Sequence, residues 1–75
     1  MKQIRNQELL LQIALRIKQL REKRGVSQEI MYMDTQIHVA RIETAKINVS
    51  VSTLHAICAY FGISLAEFFE PMTKK

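Results

Sequence analysis

Gln36, Ile37, Ala40 and Arg41 are the residues whose types and spacing most plainly ask for a chemical partner. They lie in "DTQIHVARIE". If this stretch is helical through Glu43, steps of about 100° per residue bring Val39 and Ile42 together at about 240 to 300° from Gln36. That side faces a core. Gln36, Ile37, Ala40 and Arg41 fall between about 0 and 140° and share the outward face. A glutamine amide both donates and accepts hydrogen bonds, and a guanidinium donates as a rigid fork. An isoleucine beside a small alanine on the same face is out of place on a purely solvated helix.

A DNA major groove would use all four types, because it offers donors and acceptors on base edges and methyl groups on thymines. On this reading Gln36 bonds adenine, Arg41 bonds guanine or a phosphate, Ile37 covers a thymine methyl and Ala40 permits close approach. The other reading of the wheel packs Ile37 against another helix or a second subunit.

These residues need elements to position them. Leu9, Leu10, Ile13, Ala14, Ile17 and Leu20 recur at helical spacing, with Asn6 as N-cap and Gly25 at the end, and predict a first helix over 7–24. Leu11 and Leu15 lie one turn apart on its other side and are expected to be partly exposed, as a possible contact patch. Val26 tucks inward, and Ser27 caps a second helix over 28–33. Asp34 and Thr35 are both suited to cap the third. Ser50 or Ser52 caps a fourth, with Val51, Leu54, Ile57, Cys58 and Phe61 inward and Gly62 as its stop. Ser64 and Glu67 form a capping box for a short fifth helix that Pro71 terminates, on which Phe68 and Phe69 cannot be buried equally. The expectation is an all-α, compact five-helix bundle, a single domain over 1–75 with its core at about 7–70 and a tail at 71–75.

Composition agrees. The chain has 75 residues, 48% hydrophobic and 24% charged, and a net charge of +4 that permits a polyanionic partner. The lone Cys58 cannot form an internal disulfide, which fits the cytoplasm, and no apolar run reaches membrane-spanning length. His38 and His55 are far apart, with no Cys or carboxylate at ligand spacing, so no metal, cofactor or small-molecule ligand is expected. His38 is read as solvated on the flank of the third helix, His55 as structural beside the buried face of the fourth, and Cys58 as core. No nucleophile, base and orienter set stands out, so no enzyme is expected.

The order "LREKRGVSQE", "ARIE" and "INVSVSTLHAICAYFGISLAEFF" resembles the Cro/C1-type (Xre-like) helix-turn-helix family of bacterial and phage repressors, over about residues 13–69. The resemblance implies a helix-turn-helix acting as a transcriptional regulator, a repressor that binds double-stranded DNA as a homodimer on a palindromic operator. It implies phosphate contact by Gln28 and by Thr44, Lys46 and Asn48 of the loop after the third helix. Thr35, Gln36, Ile37 and Arg41 match family positions that reach phosphate or base edges, and Arg21 and Glu43 match an ion pair between the first and third helices.

Two departures stand out. From Ser27 to Glu43 the chain is about three residues shorter than the family spacing, close to one helical turn, and the usual turn glycine is missing. An abbreviated second helix or a rebuilt turn is therefore expected, with some of Met31, Tyr32 and Met33 plugging the gap. "TAK" stands where the family has a glycine after the third helix, so Ala45 must avoid or tolerate a left-handed backbone. The alternative function is a protein-interaction module, such as an antitoxin or adaptor, with Ile37 as its anchor.

Overall fold

Five helices follow one another in the computed structural model, which describes residues 4–73: α1 (Gln7–Arg24), α2 (Gln28–Thr35), α3 (Val39–Ile42), α4 (Val51–Phe61) and α5 (Leu65–Thr73). Each feeds one core, in which Ile13 and Ile17 of α1 meet Met31, Val39, Ile42, Leu54, Ile57, Cys58, Phe61 and Phe68. Among the described residues no single helix is long and apolar enough to cross a membrane. Burial pushes the Cys58 thiol up from its ordinary pKa, against a smaller lowering by Arg16.

Local caps fix α1. Asn6 Oδ1 accepts the Leu9 N–H at 3.0 Å. At the other end Gly25 takes φ 74°, which lets the Val26 N–H reach back to the Arg21 carbonyl at 2.9 Å. Val26 thereby turns its side chain against the core.

The boundary between α2 and α3 differs from the sequence expectation. The missing turn comes out of the third helix, not the second: α2 has 8 residues and α3 only 4. The physical reason lies in Thr35, whose hydroxyl donates to the Met31 carbonyl at 2.7 Å and accepts the Ile37 N–H at 3.1 Å, closing α2 instead of opening α3. Asp34 is likewise taken from capping, because the Tyr60 hydroxyl of α4 donates to its carboxylate at 2.7 Å. Gln36 stands where the glycine is missing, left-handed at φ 65°, with its N–H on the Tyr32 carbonyl. His38, at φ −77° and ψ 70°, then makes an inverse γ-turn that joins Val39 N–H to the Ile37 carbonyl at 2.8 Å. Met31 alone plugs the interior; Tyr32 and Met33 are exposed.

α3 is one turn long and could not hold its place by its own hydrogen bonds. Val39 and Ile42 anchor it from below. From α1, Arg21 grips its C-terminal end, with Nε 2.6 Å from Glu43 Oε2 and Nη2 2.8 Å from Glu43 Oε1. The same guanidinium donates to the Val26 carbonyl at 2.9 Å, and Gln28 Nε2 donates to Glu43 Oε1 at 3.0 Å. These side chains are 11% and 8% exposed, so the pair is largely desolvated. The hydrogen bonds to Glu43 hold the Arg21 pKa above its already high ordinary value, and the charge is permanent.

After α3, Ala45 tolerates the left-handed region at φ 62°, at a cost of about 1 kcal/mol. Its methyl is buried against Leu10 and Ala14, and its carbonyl accepts from Gln7 Nε2 at 2.7 Å. α4 is capped by Ser50, not Ser52, through the Thr53 N–H at 3.0 Å. Val51, expected at the buried face, and His55, expected as structural beside it, are exposed because Leu54, Ile57, Cys58 and Phe61 fill it.

α5 opens on the Ser64–Glu67 box, with reciprocal bonds of 2.8 and 3.0 Å. Phe68 is fully buried and Phe69 half-buried. Pro71 does not end this helix but lies inside it, and residues 71–73 of the expected tail are helical, while 74 and 75 lie outside the described residues. A proline at 71 removes the N–H that would serve the carbonyl of residue 67. Arg16 of α1 fills that place, donating to the Glu67 carbonyl at 3.1 Å and the Phe68 carbonyl at 2.9 Å. In the same manner Arg24 bonds the Tyr60 and Phe61 carbonyls at the end of α4.

Two predictions follow from these contacts. Arg21→Met, which strands the Glu43 carboxylate, should destabilise the domain by about 3 kcal/mol in urea melts. Adding Glu43→Leu should recover part of that loss; a strictly additive double variant would contradict the coupling. Arg16→Met should cost about 1–2 kcal/mol for its lost carbonyl bonds. In a Pro71→Ala background, where residue 67 regains an intrahelical donor, the same change should cost measurably less.

Candidate nucleic-acid interface

The short α3 borders two hollows that hold most of the expected contact residues. One is lined by Gln36, Ile37, His38 and Arg41, and on its far wall by Ile47, Asn48, Ser50 and Thr53 from the loop and the start of α4. The other is lined by Lys18, Arg21, Ser27, Gln28, Ala40, Glu43 and Thr44. The structure therefore brings Gln36, Ile37, Arg41 and Asn48 together and groups Gln28, Ala40 and Thr44 on the opposite flank. Thr35 and Lys46 line neither hollow.

The single outward helical face expected for Gln36, Ile37, Ala40 and Arg41 is not formed. α3 begins at Val39, so Gln36 and Ile37 precede it and do not follow its wheel. Gln36 is exposed from the left-handed position at the end of α2. Ile37 is half-buried and packs against the core, which overturns its placement as an exposed side chain. Ala40 and Arg41, inside α3, are exposed.

Hydrogen bonding sorts these residues further. Neither the Gln36 amide nor the Arg41 guanidinium has a hydrogen-bond or ion-pair partner among the described residues, and both face solvent with full donor capacity. Gln28 is half-buried and gives one amide hydrogen to Glu43. The Thr35 hydroxyl is engaged on both sides by backbone. Thr44 Oγ1 donates to the Arg41 carbonyl and accepts the Lys46 N–H, tightening the turn after α3. Asn48 Nδ2 donates to the Ile4 carbonyl at 2.9 Å, and the Lys46 carbonyl accepts from Arg5 at 3.0 Å. The loop is thus tied to the segment before α1, while the Lys46 side chain remains exposed.

His38, read from the sequence as solvated, is exposed but placed: its ring centroid lies 4.7 Å from that of Tyr32, and it lines the same hollow as Gln36 and Arg41. No local pattern signals this, because the position depends on the γ-turn that replaced the first turn of the expected third helix.

Among the described residues no group of three or more His, Cys, Asp or Glu is placed to hold a metal ion. What remains is a one-turn helix with an exposed amide just before it and an exposed guanidinium on it, a geometry suited to hydrogen-bonding an external edge. No curated protein and no solved structure matches the chain. A family profile described as Cro/C1-type HTH DNA-binding domain matches residues 16–74, from the middle of α1 through α5. The chain belongs to the Cro/C1-type helix-turn-helix DNA-binding domain family.

Proposed function

We propose that this protein reads double-stranded DNA by sequence and represses transcription in the cytoplasm as a homodimer on a two-fold related operator. The observation that carries this reading is the pairing of Gln36 and Arg41, exposed and unpartnered among the described residues, in the hollow beside α3. Membership in a family of DNA-binding domains supplies the partner class.

In this reading the two sides of α3 have different tasks. Gln36 donates to and accepts from an adenine edge, and Arg41 bonds guanine or the adjacent phosphate. Ala40 sets how closely the backbone approaches the bases. Ile37 acts chiefly as a wedge that fixes the turn, leaving only its exposed part for a thymine methyl. Asn48 beside one hollow, Thr44 and Gln28 beside the other, and Lys46 of the loop after α3 contact phosphates and set register. Gln28 keeps one amide hydrogen for this, and Thr35 contributes a lone pair at most.

Two recognition ridges on one face of the duplex require half-sites about 34 Å apart. Only cationic contacts release counterions, so with Lys46, and Arg41 where it takes the phosphate, a log-log plot of affinity against salt has a slope of about −0.9 to −1.8 per subunit.

Selecting bound duplexes from a random pool tests the reading directly, since it reports sequence, symmetry and spacing together. Gln36→Ala and Arg41→Ala should each weaken the selected site by ~1 to 3 kcal/mol and relax its sequence preference, whereas Lys46→Ala should weaken all duplexes alike. Equal loss by the first two variants on operator and random DNA would remove base reading from them. A salt-insensitive protein with no duplex shift would instead favour the interaction-module reading.

A further inference from the structure

Helix α1 carries an exposed set of side chains that the fold does not use. Leu11 and Leu15 are 51% and 52% exposed, on a side of the helix turned from Leu10, Ile13, Ala14 and Ile17. Glu8 and Lys18 flank them, both exposed and both without an ion-pair or hydrogen-bond partner among the described residues. The four positions are symmetric about Ile13, with the leucines two residues to either side and the opposite charges five residues to either side. At about 100° per residue all four lie within about 40° of one line along α1.

This arrangement is self-complementary under a two-fold axis. A second copy laid antiparallel along that line brings Leu11 against Leu15 of the other chain, twice, and sets each Glu8 opposite a Lys18. No other exposed apolar group among the described residues has this property. The groove lined by Ile4, Leu9, Val51 and Phe69 contains no charged residue to orient a partner, and the charges symmetric about Ile30 and Met33 of α2, Glu29 and Asp34, are alike in sign and would repel across a two-fold axis.

We propose that two copies of this chain associate through α1, with Leu11 and Leu15 at the centre of the seam and reciprocal Glu8–Lys18 pairs at its ends. The proposal rests on the homodimer of the preceding section and not on base reading, so its test uses the pure protein without DNA.

Sedimentation velocity across a concentration series should find a dimer of the unaltered protein. Glu8→Lys leaves only positive charge at the ends of the seam and Lys18→Glu only negative, so each alone should raise the dimer dissociation constant by about tenfold or more. Mixing the two variants should restore association, because each then supplies the charge the other lacks. Leu15→Gln, which alters no charge, should also weaken the dimer, with thermal melts showing that each variant remains folded. A dimer indifferent to all three substitutions, or a mixture no better than its components, would overturn the α1 interface while leaving a homodimer in place. A monomer at every concentration would overturn both the interface and the homodimer, and selection on duplex DNA would still decide base reading separately.

Discussion

The Arg21–Glu43 pair is the constraint on which the presentation of α3 depends. One guanidinium bonds a carboxylate beyond the end of α3 and the carbonyl of Val26 in the link to α2, and that carboxylate also receives the amide of Gln28 at the start of α2. Three helices and one connection therefore meet at a single charge pair. Because that pair is largely shielded from water, losing one member leaves an uncompensated charge, a much larger penalty than breaking an exposed pair. The opposite end of the unit is held differently, by neutral and singly charged hydrogen bonds from Thr35 and from Tyr60 to Asp34. The bond to Asp34 also raises the pKa of the Tyr60 phenol, which remains the donor through neutral pH.

Features governed by neighbours in the chain could be read from the sequence, and those settled by distant residues could not. Asn6, Gly25, Ser27 and Gly62 act on groups within a few residues of themselves, and the ends of α1 and the start of α2 fall where the residue types place them. Thr35 is ambiguous by type, since a hydroxyl serves the end of one helix as well as the beginning of the next. What decides is the depth of Met31 and the reach of Tyr60, which is 26 residues away from Asp34. Pro71 teaches the same lesson: by local rule it stops a helix, yet Arg16, 51 residues from Glu67 in sequence, supplies the missing donor.

The interface follows this division. Val39 and Ile42, three apart, point inward as their period requires, and Ala40 and Arg41 point outward. Extending that period backwards would put Gln36 and Ile37 on the same face, but neither residue belongs to α3. Gln36 is nonetheless exposed, by virtue of its left-handed backbone, whereas Ile37 is drawn toward the core. His38 gained its position from the same turn.

Of the five arginines, Arg5, Arg16, Arg21 and Arg24 bond carbonyls or a carboxylate of their own chain, and Arg41 alone has no such partner among the described residues. Bonding a backbone carbonyl leaves the positive charge of an arginine intact while committing one or two of its five donors. Arg5, Arg16 and Arg24 therefore add to the long-range field that draws a polyanion in, within the roughly 8 Å that physiological salt allows, with fewer donors left than Arg41 has to hold it at contact. Attraction and grip are thus weighted toward different residues, and lysine in place of those arginines would preserve the first while loosening the carbonyl contacts they make.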